Sequence, residues 1–261
     1  MKEQRYYYLI TVQFLGFRYH GWQKQPSVKT VEEMIYKTIT FVIGKGTRFK
    51  ILGASRTDAK VSAQEAAFEL FLYEPMEDTD AFITSFNRNT PSDIRAVNIT
   101  EVDQQFNIIQ APKTKEYVYL FSHGEKNHPY AAPFMANIID HLDIELMKEG
   151  AKLFEGRHYF KSYCGRANEN KNFEREIIKC ELVENKILEA NFFPESSYAL
   201  HVQGSGFMRY QVRLIMGVLI LLGKGEVDLK FIKESLKEEN DYLIEYVAPA
   251  SGLHLNTLKF D

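Results

Sequence analysis

Residues 49–71 read Phe49-Lys50-Ile51-Leu52-Gly53-Ala54-Ser55-Arg56-Thr57-Asp58-Ala59-Lys60-Val61-Ser62-Ala63-Gln64-Glu65-Ala66-Ala67-Phe68-Glu69-Leu70-Phe71. Two apolar runs, Phe49–Gly53 and residues 66–71, have the length and composition of strands and flank a short polar insert. An arginine, a hydroxyl and a carboxylate stand together in Arg56-Thr57-Asp58, at a strand end where loops carry function. A carboxylate kept ionised by a neighbouring guanidinium can serve as nucleophile, general base or metal ligand. The same tripeptide is also an ordinary turn, its Asp accepting local backbone hydrogen bonds. Its surroundings decide.

On the N-terminal side, Tyr6–Phe14 alternates aromatic and β-branched residues with others and predicts a strand. An aromatic, glycine-containing loop follows, with the only tryptophan in Gly21-Trp22-Gln23-Lys24-Gln25. Thr30 and Glu33 form a capping box, and Val31, Ile35, Thr38, Ile39 and Val42 share one helical side up to Gly44. After the two strands around Asp58 come a helix over residues 79–88 and a strand over residues 94–102. This β-α-β-β-α-β order is the ferredoxin-like one.

The second half reads similarly. A strand is expected over residues 116–121, a helix capped by Asp143 up to Phe154, and strands over residues 177–183, 187–193 and 198–202. A long apolar helix is expected over residues 207–222, closed by Gly223 and Gly225, and Asp228 caps another. These elements predict two domains, residues 1–107 and 108–261. The expected fold class is α+β, two ferredoxin-like (RNP-like) halves with mostly antiparallel sheets around a central basic cleft.

The chain has 261 residues, 45% hydrophobic and 26% charged, which suits a globular protein and argues against disorder. The net charge of −3 exerts no overall pull on nucleic acid, so any RNA binding must rest on a local basic surface. Residues 226–245 hold seven acidic residues against three lysines, which leaves the remainder of the chain slightly positive. Cys164 and Cys180 have neither metal-ligand nor disulfide-framework spacing, which predicts a reducing, cytoplasmic setting. The first residues lead into a strand rather than an apolar signal core, and the longest apolar run, residues 214–222, is too short for a membrane span. No phosphate-cradling glycine loop, His-Glu-x-x-His or Cys-x-x-Cys is present, so no metal and no cofactor are expected.

Several widely spaced segments together resemble the tRNA pseudouridine synthase A family. They are Phe14-Leu15-Gly16-Phe17-Arg18-Tyr19-His20-Gly21-Trp22-Gln23-Lys24-Gln25 with Thr30-Val31-Glu32-Glu33, then Ser55-Arg56-Thr57-Asp58-Ala59-Lys60-Val61-Ser62-Ala63-Gln64. Phe86-Asn87 with Thr90-Pro91-Ser92-Asp93-Ile94, residues 113–119, Phe154-Glu155-Gly156-Arg157-His158-Tyr159-Phe160, residues 207–217 and Ala250-Ser251-Gly252-Leu253-His254-Leu255 follow in the family's order. The resemblance covers nearly the whole chain. It departs at Lys60, where the family usually has Gly, at Ser62, at Asn107-Ile108-Ile109, where the family has His-Ala-Arg after Phe, and at Leu214, often Asn.

The resemblance implies a cofactor-free isomerase that converts uridine to pseudouridine in the anticodon stem-loop of tRNA, by default at positions 38–40. It implies a homodimer in the cytoplasm, with no membrane partner. Asp58 takes the role of nucleophile, kept ionised by Arg56 and by Arg213 from the long apolar helix. Tyr117 would stack on an extruded uracil, and its hydroxyl could help move the C5 proton. Arg18, Lys24, Lys113, Lys115 and Arg209 are candidate phosphate contacts, each otherwise a solvated charge. Two rivals stand beside this reading. One is a paralogue acting on another RNA, suggested by Lys60 and Asn107; the other is a non-catalytic RNA-binding protein of the same fold, which the joint presence of Arg56, Asp58, Tyr117 and Arg213 disfavours.

Overall fold

The computed structural model describes residues 4–165 and 172–260. Along the chain the elements are β1 (Tyr6–Phe14), α1 (Val31–Val42), β2 (Phe49–Gly53), β3 (Ser62–Leu72), α2 (Thr79–Asn89) and β4 (Ile94–Val102). They continue with β5 (Thr114–His123), β6 (Ala136–Ile138), α3 (Ile144–Lys152), β7 (Gly156–Tyr159), β8 (Glu174–Glu184), β9 (Tyr198–Gly204), α4 (Gln211–Gly223), α5 (Leu229–Ser235) and β10 (Leu253–Lys259). The chain is therefore mixed α+β with mostly antiparallel strands. It divides into two compact units, residues 1–113 with 255–261, and residues 114–254. Where the sequence suggests a boundary at 107/108, the chain passes between units at 113/114, and residues 255–259 of β10 return to the first unit to lie beside β3.

In the first unit β1 pairs antiparallel with both β3 and β4, and β2 pairs antiparallel with β3. The alternation in β1 puts Tyr8, Ile10, Val12 and Phe14 on a fully covered face. Val31, Ile35 and Ile39 of α1 and Phe82 and Phe86 of α2 are buried as well. Each such side chain contributes about 1.5–3 kcal/mol of hydrophobic stabilisation. Trp22, from the loop after β1, joins this core with its ring 6.0 Å from Phe14 and 6.5 Å from Phe68. The expected cap of α1 is present: the Thr30 hydroxyl accepts from the Glu33 N–H at 3.3 Å.

In the second unit β5, β9, β8 and β7 lie in that order with antiparallel pairing, and β6 runs parallel to β5. Helix α4 is apolar and almost wholly buried, with Arg213 as its one charged residue. The segment before β10 crosses α4 at Gly217, where a Cβ would stand 2.0 Å from the Tyr246 carbonyl oxygen. No helix among the described residues is long and apolar enough to cross a membrane.

Two expectations are corrected here. Residues 187–193 form no strand: the Asn185 side chain accepts from the Ile187 N–H at 3.0 Å and closes a turn instead. Ile187, Leu188, Phe192 and Phe193 then pack over Val118, Leu120, Ala131, Met135 and Ala199, so the apolar run serves as a lid on core rather than as a ladder. The long helix begins at Gln211, not 207, because Tyr210 is left-handed (φ 63°) and the Gln211 side chain accepts from the Met208 N–H at 2.8 Å.

Candidate functional site

The loop between β2 and β3 carries Asp58 and is held by the loop that follows β1. The Trp22 N–H donates to the Thr57 carbonyl at 3.1 Å and the Lys60 N–H to the Tyr19 carbonyl at 3.0 Å. The Gly16 N–H donates to the Ser62 hydroxyl at 2.9 Å. Two glycines make this approach possible. A Cβ on Gly16 would lie 1.9 Å from the Val61 carbonyl oxygen, and one on Gly21 would lie 2.6 Å from that of Thr57. Asp58 itself opens a tight turn, its carbonyl accepting from the Val61 N–H at 3.2 Å. Lys60 occupies the third position of that turn with φ 67°.

The supporting loop is anchored in turn. The Tyr19 hydroxyl donates to Asp93 at 2.6 Å, and Arg18 forks onto the same carboxylate, one of its contacts measuring 2.8 Å. Burial, then the bond to Asp93, pushes the Tyr19 phenol up to about 12. Burial alone would raise the Asp93 carboxyl, but hydrogen bonds from Arg18 and Tyr19 outweigh it and hold the group below the ordinary range. The bond to Asp93 is also the main reason that the Arg18 guanidinium is raised. Asp58 thus sits on a backbone fixed through Tyr19 to the start of β4.

Asp58 is half-buried and Arg56 is exposed on the same loop. Thr57 is buried, and its hydroxyl has no hydrogen-bond partner among the described residues. Arg18 is committed to Asp93, with about half of its side chain exposed. Lys24 is exposed, its N–H donating to the Glu32 carboxylate at 2.6 Å and its ammonium lying 5.2 Å from the centre of the Tyr36 ring. Lys113 is exposed and its N–H donates to the Lys259 carbonyl at 2.9 Å.

The second unit supplies the other candidates. Tyr117 on β5 is half-buried, edge-on to Phe207 with ring centres 5.3 Å apart. Tyr119 is fully buried and its hydroxyl donates to the Pro249 carbonyl at 2.8 Å, which makes it a packing residue. Lys115 is half-buried, and burial lowers its ammonium from the ordinary value. Arg213 donates through Nε to the Ala248 carbonyl at 2.8 Å and accepts from the Ala248 N–H at 3.1 Å. Its guanidinium lies 5.1 Å from the centre of the Tyr210 ring, and that of exposed Arg209 lies 4.8 Å from the same ring. Tyr210 therefore gathers two candidate cations. It was not among the residues singled out from sequence; neither were Tyr19, Asp93, Ser62, Gly16 and Gly21 as supports of the Asp58 loop. Aromatic-plus-glycine composition in residues 14–22 is a signal for the last group, but a contact between residues 74 apart, as from Tyr19 to Asp93, leaves no local trace.

A family model described as tRNA pseudouridine synthase matches residues 151–261. The "tRNA pseudouridine synthase A 2" of Bacillus cereus (strain ATCC 10987 / NRS 248) is 31% identical over 254 residues, covering 97% of this chain and 99% of that protein. The tRNA pseudouridine synthase A of Ruminiclostridium cellulolyticum is 30% identical over 250 residues, 94% of this chain and 96% of the other. Among solved structures, a Cbf5-Nop10-Gar1 complex aligns with a TM-score of 0.32 at 17% identity, over 80% of this chain and 46% of that one, too distant to decide anything.

Proposed function

Because the chain belongs to the tRNA pseudouridine synthase A family, we propose that it isomerises uridine in the anticodon stem-loop of tRNA, at positions 38–40, with Asp58 as the nucleophile. The family is one of isomerases, and these act on tRNA uridine. In the reaction the uracil N1–C1′ bond breaks, the base turns, a C5–C1′ bond forms, the C5 proton leaves and N1 ends protonated. Atoms balance with no other reactant.

The observation that carries the reading is the Asp58 loop. A half-buried carboxylate stands on a turn whose backbone is fixed by the Trp22–Thr57 and Lys60–Tyr19 bonds, with the Gly16 N–H holding the Ser62 hydroxyl beside it, which suits a nucleophile that must be held still yet be reached. Arg213, the one charge on an apolar helix, and Arg56 are the cations assigned to keep Asp58 ionised. Extruding a uridine from a stem costs a few kcal/mol, and stacking on Tyr117 offsets roughly 1–3 kcal/mol of that. Lys24, Lys113, Lys115, Arg209 and the exposed part of Arg18 are the phosphate contacts. Each unit is taken as ferredoxin-like. The enzyme works as a cytoplasmic homodimer in this proposal.

Pseudouridine mapping of RNA from a strain lacking this protein tests the reading. Loss of the modification at tRNA positions 38–40, restored by the wild-type chain and not by Asp58→Ala, is the expected result. Loss only in another RNA moves the substrate to that RNA, and no loss anywhere overturns the proposal.

A further inference from the structure

The turn 58–61 needs a left-handed residue at its third position, and a glycine would serve it without strain. The chain places a lysine there, φ 67°, two residues after the Asp58 carboxylate. The backbone offers no way to relax, since the Lys60 N–H is bonded to the Tyr19 carbonyl at 3.0 Å and the Asp58 carbonyl to the Val61 N–H at 3.2 Å. The Lys60 side chain is exposed, so it returns no hydrophobic stabilisation for that strain. Its ammonium lies 5.7 Å from the centre of the Phe17 ring, which is itself 38% exposed. An exposed cation resting on an exposed aromatic face is the pairing that nucleic-acid surfaces use for phosphate and base together. Strain kept at a turn beside a reactive group marks function more often than packing.

We propose that Lys60, steadied by the Phe17 ring, is a phosphate contact for the RNA strand on either side of the target uridine, a binding residue of the Asp58 loop itself. This rests on the reading of the chain as a tRNA isomerase. The lysine neutralises one phosphate adjoining the nucleotide that Asp58 attacks, and the fixed turn sets its distance from the carboxylate.

Binding of an unmodified tRNA transcript is measured against salt for the wild type and for Lys60→Gly, Lys60→Asn and Lys60→Arg, with thermal melts alongside. Lys60→Gly and Lys60→Asn are expected to weaken binding roughly two- to fivefold and to reduce the salt slope by about 0.7–0.9. Lys60→Arg keeps both, and Lys60→Gly melts about 2–4 °C higher because the strain is gone. Unchanged affinity and slope in Lys60→Gly overturn the proposal, as does Lys60→Arg behaving like Lys60→Gly. Binding needs no turnover, so a chain that isomerises tRNA normally while Lys60→Gly binds as the wild type loses this inference alone. A wild type that isomerises no uridine loses the reading beneath it.

Discussion

The Lys60 N–H donates to the Tyr19 carbonyl at 3.0 Å, joining the turn that bears Asp58 to a loop more than forty residues earlier in the chain. Tyr19 passes the constraint on, since its hydroxyl donates to Asp93 at 2.6 Å. A catalytic carboxylate gains from such fixity, because a displacement of about 1 Å can cost roughly 10²-fold in rate. The expected consequences can be measured residue by residue.

Asp58→Ala and Asp58→Asn should fold and bind tRNA but lose isomerisation by about 10⁴-fold or more, since neither side chain can act as the nucleophile. Tritium release from C5-labelled uridine in tRNA measures this. Turnover within tenfold of wild type in Asp58→Ala would falsify the assignment.

Tyr19→Phe removes the hydroxyl that Asp93 accepts from and should lower stability by about 1–3 kcal/mol. It should also alter the pH dependence at the alkaline end. With the folded phenol at about 12, above its unfolded value of about 10, the folded state holds a proton that the unfolded chain has released. That contribution is complete below pH ~10 and is lost as pH rises toward about 12. Melts of the wild type minus those of Tyr19→Phe over this window should therefore show a falling difference; a flat one counts against the buried Tyr19–Asp93 bond.

Asp93 gives the acid counterpart. Its folded carboxyl lies below the ordinary range, so its contribution is present above about pH 4 and disappears as pH falls through the depressed value. Asp93→Asn should flatten that acid limb and loosen the Asp58 loop, seen as a lower kcat with KM little changed.

Gly16→Ala puts a methyl 1.9 Å from the Val61 carbonyl oxygen, a contact that backbone must move to relieve. The expected cost is about 1–3 kcal/mol or more of stability, together with a drop in turnover as the Asp58 loop shifts. Normal melting and normal kcat in this variant would show that the two loops are not tightly packed.

Tyr117→Ala should weaken RNA binding or turnover by about 1–3 kcal/mol, whereas Tyr117→Phe keeps the ring and loses only what the hydroxyl does. Tyr119→Ala should instead lower stability by roughly 3–5 kcal/mol, for the ring is fully buried and its hydroxyl is bonded to Pro249. Melts and single-turnover assays on the three variants separate the roles. Early melting of Tyr117→Ala with normal chemistry when folded would make Tyr117 a core residue.

Local sequence determined the elements whose cause is local. The alternation of Tyr6–Phe14 follows from strand period, and the start of α1 from the Thr30 hydroxyl and the Glu33 N–H three residues on. Asp78, Asp143 and Asp228 begin α2, α3 and α5 by the same means. Sequence also brought Arg56 and Asp58 onto one loop, because neighbours in the chain stay neighbours in space. It failed at residues 187–193, where a largely apolar run packs as a cover because Asn185 turns the chain. Tertiary structure alone decided the rest. It gave Arg18 to Asp93, tied Arg213 to Ala248 35 residues away, made Tyr119 core while leaving Tyr117 half-exposed, and forced Lys60 left-handed. Each of these depends on which distant backbone comes within about 3 Å of a polar group, a condition set by the packed sheet and not by any run of residues.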